Sequence, residues 1–431
     1  MISTRCLALG MALALAVPFG AVWAQQAPPG GAPAPAQQPE RPRQAQQAEQ
    51  QGNPANQGRP PEMANSPLAP HAPRLTVTQP DRIPLDRLRV PEGFRVELWA
   101  HGMPGARMMA LGDNGTVFVG TRAIGRVYAV TDQGGKRRVR TILQGLRQPN
   151  GVAVKDGALT VVGINRVLRW EGIEGRLDNP GQPADLTQAF GLPSDEHHGW
   201  KFTTFGPDGR LYMQVGAPCN ICEPDRDRYA LILSFRPDGS GRRIEAKGIR
   251  NSVGFDWHPV TRELWATNNG RDWAGNDTPN DTPNDTLHRI RRPGEDHGYP
   301  YCAANWQDPA IQPGRPCSEF QAPAALLGPH VGALGMRFYT GTMFPEQYRE
   351  QIFIARRGSW NREQMAGYDV IVAELDAGGN VTGLEPFLTG FLEEGANRFH
   401  GRPVDVLQLR DGSLLVSDEQ NGAIYRVTHR R

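Results

Sequence analysis

A histidine pair stands where a proton acceptor would be useful. His197 and His198 fall in Asp195-Glu-His-His-Gly-Trp-Lys-Phe-Thr-Thr-Phe-Gly-Pro-Asp208, with His198 ten residues ahead of Asp208, which opens a tight turn. A neutral imidazole there can accept a hydroxyl proton near working pH, with His197 or Asp195 to orient it. Metal ligation by the pair is the competing reading, weakened because neighbours on an extended segment point to opposite faces. Arg107, Gln148 with Asn150, Arg250 with Asn251, and His400 with Arg402 occupy the equivalent place, just ahead of a strand-like run. Guanidinium forks bind carboxylates two bonds at a time. Gathered at one point, these residues would seat an anion and deprotonate a neighbouring hydroxyl; scattered, they are ordinary turn residues. The tandem Asn276-Asp-Thr-Pro279, Asn280-Asp-Thr-Pro283 and Asn284-Asp-Thr286 adds acidic oxygens that suit a cation, although a duplicated exposed turn is the simpler reading.

Repetition is what would gather them. Asp113-Asn-Gly-Thr-Val-Phe-Val119, Asp156-Gly-Ala-Leu-Thr-Val-Val162, Pro207-Asp-Gly-Arg-Leu-Tyr-Met213, His258-Pro-Val-Thr-Arg-Glu-Leu-Trp-Ala266 and Asp411-Gly-Ser-Leu-Leu-Val416 each set a tight turn before an apolar strand. Asp-Gly and Asn-Gly favour hairpins because both residues tolerate positive φ. A sixth unit runs from Gly335-Met-Arg-Phe-Tyr339 through a longer connection to Ile352-Phe-Ile354. Short antiparallel strands recurring with one internal order predict an all-β, six-bladed β-propeller of four-stranded sheets over residues 76–431. In such a ring the residues entering each innermost strand meet at one mouth of the central channel. A sandwich or barrel would explain the strands but not the recurring phrase.

The rest of the chain bounds the setting. Arg5, an apolar run from Leu7 to Val22 broken by Pro18, and Ala24 before Gln25 read as a signal peptide over residues 1–24, so export to the periplasm is expected. Residues 25–75 are mostly Gln, Pro, Ala and Gly and read as a disordered spacer. No later stretch is apolar for long enough to span a membrane. A formal net charge of +2 without a long basic block argues against nucleic acid as a partner. Beyond the leader four cysteines remain, Cys219, Cys222, Cys302 and Cys317. Export favours two disulfides, 219 to 222 and 302 to 317; a redox or zinc role for the Cys-Asn-Ile-Cys pair lacks a following helix or a second such pair.

On these residues the chain resembles the soluble quinoprotein glucose, aldose sugar and sorbosone dehydrogenases. The resemblance is carried by His198 ahead of Phe205-Gly-Pro-Asp208, Gly248-Ile-Arg250-Asn251, Trp265-Ala-Thr-Asn-Asn-Gly270-Arg271 leading to Gly298-Tyr-Pro300, and, for the sorbosone branch, Gly358-Ser-Trp-Asn-Arg362 with Gly401-Arg402-Pro403-Val404. It implies a propeller that binds pyrroloquinoline quinone and calcium and oxidises a sugar by hydride transfer, passing electrons to an external acceptor. His198 takes the position of the family's base, and Gln148, Arg250, Asn251, Arg402 and one of Arg356 and Arg357 take cofactor-binding positions. Gly270, Arg271 and Asp285 take calcium-side positions. Arg271 and Val404 depart from the glucose enzymes, which argues against glucose itself. Two other readings compete: a propeller lactonase or other metal-dependent hydrolase, which would want carboxylate and Asn ligands in the channel, and a non-catalytic propeller that binds a partner or polysaccharide through its loops.

Overall fold

The computed structural model describes residues 52, 54, 77–273 and 282–430, all within one compact unit, Gln44–Arg431. The expected leader, nearly all of the expected spacer, and positions 276–281 of the tandem lie outside the described residues. Six antiparallel sheets form the six blades of a β-propeller, as the repeats predict. Their first strands are Met109–Leu111, Gly151–Lys155, Thr203–Phe205, Phe255–Trp257, Ala333–Phe338 and Pro403–Gln408. These innermost strands touch their neighbours around the ring. Each is followed by the strand of its Asp-Gly-type phrase, as when Leu111 pairs with Val117 and Gln408 with Leu414.

The sheets pack face to face, so the middle strands of the blades are buried on both sides. Val117–Val119, Leu231–Phe235 and Leu414–Asp418 are buried at every residue, as two-sided burial demands of a strand. Outer strands such as Lys136–Leu143 face solvent and carry charge. The core is therefore six apolar seams, one between each pair of blades, rather than one centre. Phe118 packs on Val152 and Leu168 in one seam, and Trp265 on Met336 and Phe338 in another.

An inner strand has a free edge whose N–H and C=O groups need partners. Buried polar side chains supply them across the seams. Asp405 accepts from the Met109 N–H at 2.8 Å, Asp256 from Phe338 N–H at 2.9 Å, and Asn150 donates to the Lys201 carbonyl at 2.8 Å. The ring closes through a pairing that no repeat announced. Phe94–Ala100 becomes the outer strand of the sixth blade, against Ala423–His429, so both ends of the described propeller share one sheet.

The third blade gains a fifth strand, Glu295–Asp296, that begins an excursion from 295 to 322. The excursion holds one disulfide, Cys302–Cys317, and packs against the other, Cys219–Cys222, the pairing the sequence favoured. Cys302 packs with Tyr299, Tyr301, Ile221 and Phe320, and Cys219 Sγ meets the Tyr299 hydroxyl at 3.4 Å. The second bridge spans 15 residues, a loop whose closure should stabilise the fold by about 3 kcal/mol. We expect Cys302→Ala with Cys317→Ala to lower unfolding free energy by that order in urea titration, leaving the propeller's far-ultraviolet dichroism unchanged.

Candidate active site

Antiparallel pairing sends the second strand of each blade back to the mouth where the first began. That mouth is therefore lined from two sets of positions: residues entering the inner strands, and residues leaving the second strands. Between them lies a cavity of about 660 Å³. Arg107, Gln148, His197, His198, Arg250 and Asn251 come from the first set. Arg122, Asn269, Gly270, Asp272 and Arg357 come from the second.

His198 is buried, with its Nδ1 2.9 Å from the carbonyl oxygen of Ala217. A ring nitrogen facing a carbonyl must carry the hydrogen, so Nε2 is the proton acceptor. Burial first, then His197 and Arg250, hold the pKa of His198 well below the ordinary histidine value. The ring is aimed by an uncommon backbone, φ 49°, on the order of 1 kcal/mol of strain for a residue with a Cβ. That turn also brings the His197 and His198 rings to 4.0 Å between centroids, so the extended geometry expected of the pair does not hold. Asp195 does not orient His198; it accepts from the Tyr229 hydroxyl at 2.6 Å. Gly216 backs the imidazole, and a Cβ there would stand 2.5 Å from that of His198.

The opposite wall is cationic. Glu419, leaving the second strand of the sixth blade, bonds both Arg107 and Arg357 and is buried with Arg107. Burial alone would raise its pKa, but Arg357, Arg107 and Arg402 outweigh that and hold the carboxylate ionised. Arg122 lies over the Trp200 ring, 3.6 Å from its centroid, and burial with Arg107 and Arg357 nearby lowers its pKa to about 9. Arg402 sits behind this wall rather than in the cavity lining. Its Nη2 donates to Ser359 O at 3.1 Å and to the Tyr368 hydroxyl at 3.2 Å, while buried Nε and Nη1 have no acceptor. Four guanidinium groups thus share one carboxylate. An uncompensated buried charge of this size calls for an anion.

Arg250 and Asn251 flank His198 on the other side. The Asn251 N–H donates to Asn268 Oδ1 at 3.0 Å, and Asn251 keeps a buried, unpartnered Oδ1. Gly270 and Asp285 are brought together, the Gly270 N–H donating to Asp285 Oδ1 at 3.0 Å. Asp285 Oδ2 takes the Ala333 N–H at 3.0 Å, and the Gly270 carbonyl takes Arg250 Nη1 at 2.8 Å. Desolvation raises Asp285 to a pKa of about 6. Each of these oxygens already accepts one of these bonds, and among the described residues no three His, Cys, Asp or Glu side chains gather as a metal site. Arg271 points elsewhere, to Asp308 at 3.0 Å and over Trp306.

Three other expected residues are also turned aside. Arg356 pairs across its sheet with Asp369 at 2.7 Å, whereas Arg357, the next residue, enters the cavity. Asn150 lies beneath Arg107 and accepts its Nε at 2.8 Å. His400 bonds Glu393 at 2.9 Å. The sequence reading missed Arg122, Trp200, Asp272, His330, Asn361 and Glu419. Of these, Arg122, Asp272 and Glu419 follow second strands, so reading the residues just after each Asp-Gly strand would have found them. Pro54, from the expected spacer, lines the cavity as well.

The TrAA12-like family model matches residues 234–430. An uncharacterized protein of Borreliella burgdorferi is 30% identical over 80% of this chain and 91% of its own length. A pyrroloquinoline quinone-dependent pyranose dehydrogenase of Coprinopsis cinerea is 23% identical over 79% of this chain; the match spans 54% of that longer protein. The holo form of the quinone domain of the Coprinopsis cinerea pyranose dehydrogenase superposes with a TM-score of 0.66 at 21% identity, covering 83% of this chain and 98% of that one.

The charge wall makes a stability prediction independent of any ligand. Glu419→Gln removes the carboxylate shared by Arg107 and Arg357, and breaking a buried pair this way costs about 3–5 kcal/mol. Chemical denaturation should register that loss, and a smaller one would mean the guanidinium groups are already solvated.

Proposed function

The chain belongs to the TrAA12-like family, and from that premise we propose that it is a quinoprotein sugar dehydrogenase. One observation carries the reading: a neutral, oriented imidazole and a buried excess of guanidinium groups share a single cavity. Pyrroloquinoline quinone bears three carboxylates, which Arg122 and Arg357 would meet in the cavity with the charge of Arg402 behind them. Gln148 and Asn251 each add a buried oxygen without a partner, suited to an N–H or O–H group.

When bound, the quinone supplies the two-electron acceptor for hydride from the substrate carbon. The chain's own part is positional and protic. Arg122 and Arg357 would orient the carboxylates, and Arg402 would add positive charge from behind the wall. His198 Nε2 takes the proton of a sugar hydroxyl, with the Ala217 carbonyl fixing the tautomer that makes Nε2 basic. His197, its pKa lowered to about 3 by burial, then Arg250 and Arg122, stays neutral beside it and adds no charge. The roles proposed for these residues do not depend on a cation beside Gly270 and Asp285. The substrate class is a sugar, aldose or sorbosone-like, and electrons leave to an external acceptor. Export by the leader would place the reaction in the periplasm; among the described residues no helix is long and apolar enough to cross a membrane.

Titrating purified protein with the quinone should give saturable binding and dye reduction with at least one sugar; no binding would overturn the proposal. Arg357→Ala should weaken the quinone by roughly tenfold to a hundredfold, the worth of hydrogen bonds to a charged group. His198→Ala should retain quinone binding while kcat falls about 100-fold to 10,000-fold, as for a lost general base. The pH profile has a definite sign. Because the folded-state pKa of His198 is depressed, the base stays unprotonated below pH 6.5, so kcat/KM should reach half its maximum below that value. An acid limb at or above pH 6.5 would remove His198 from this role.

A further inference from the structure

Arg250 uses all five of its N–H groups, and the residue that takes two of them, more than any other, sits inside a disulfide loop. Its Nε donates to the Asn220 carbonyl at 2.9 Å and its Nη2 to Asn220 Oδ1 at 2.9 Å. The remaining bonds go to Gly270 O, Asn269 O and Asp272 Oδ2. Asn220 is fully buried and also holds Asp272 from both sides, accepting its N–H at 2.7 Å and donating Nδ2 to its carbonyl at 2.8 Å. Its own N–H donates to the Pro54 carbonyl at 2.9 Å, and its carbonyl takes the Tyr299 hydroxyl at 3.3 Å.

Cys219 and Cys222 bracket this asparagine. A bridge across so short a loop removes less chain entropy than the one at 302 to 317. What it does locally is hold a turn whose carbonyl and amide face inward at once. An unbridged four-residue loop would have to order itself against the cost of fixing each backbone residue. The bridged turn delivers a preformed acceptor pair instead, matched to the guanidinium fork.

We propose that Asn220 is a positioning residue for Arg250 and Asp272, and that the Cys219–Cys222 bridge is part of the active site because it presents Asn220. The consequence for the cofactor rests on the quinoprotein reading; the arrangement of Arg250 does not. The Cys-Asn-Ile-Cys motif thereby has a role distinct from thiol redox chemistry or zinc.

The test uses the full chain, labelled with nitrogen-15 arginine, with the Arg250 Nε–H resonance assigned through Arg250→Lys. Hydrogen exchange at that group should be slow in the natural protein and at least tenfold faster in Cys219→Ala with Cys222→Ala. Asn220→Ala should shift the resonance, and Asn220→Asp, which retains the side-chain acceptors, should restore it. In a protein that binds the quinone, the cysteine variant and Asn220→Ala should raise the Kd roughly tenfold or more. Unchanged exchange in the cysteine variant and an unshifted resonance in Asn220→Ala would overturn the inference. Failure of the natural protein to bind the quinone would instead sink the quinoprotein reading, and the exchange measurement would still decide this one.

Discussion

Buried positive charge is the constraint around which this molecule is arranged. Arg107, Arg122, Arg357 and Arg402 converge at one mouth of the channel with Glu419 as their shared carboxylate. Guanidinium groups keep their charge in almost any surroundings, so burial cannot be relieved by losing a proton as it can for lysine. The charge must be held in place by the scaffold and balanced by whatever enters. An anionic partner answers the second demand, which is why the cavity reads as an anion seat before any substrate is considered.

The propeller meets the first demand by placing charged groups on loops anchored at both ends by buried strands. Each seam between blades is apolar, and the exposed edges of the inner strands are closed by Asp256, Asp405 and Asn150. Desolvation raises Asp405 to a pKa of about 6, partly offset by Arg337 and by its backbone N–H partners. These polar contacts lie beneath the site and tie neighbouring blades together, so a shift of one blade would be felt by the residues that line the cavity. Arg107 joins the two layers, bonding Asn150 below and Glu419 beside it.

The site itself departs from easy backbone geometry. Gln148, His198 and His330 all line the cavity with φ near +50°. Such conformations persist only where surrounding structure over-determines them. For His198 the surroundings are the Ala217 carbonyl, the bare Cα of Gly216 and the edge of Trp200. Strain of this kind aims side chains inward that a regular strand would alternate between faces.

The sequence by itself determined the blade count and the location of the site, because turn chemistry and two-sided burial leave local signatures that repeat. Asp-Gly turns and apolar runs are legible one unit at a time, and the residues entering inner strands are legible once the ring is inferred; His198, Arg250 and Asn251 were found this way. Which member of a pair faces the cavity was not legible. Arg356 and Arg357 differ only by strand alternation, and the sheet register that gives Arg356 to Asp369 is set by a strand thirteen residues on. The roles of Glu419 and Asn220 were hidden for the same reason. Their partners, Arg107 and Arg250, lie 312 and 30 residues away, and only the closed ring and the bridged turn bring the opposite charges and fitting hydrogen bonds together.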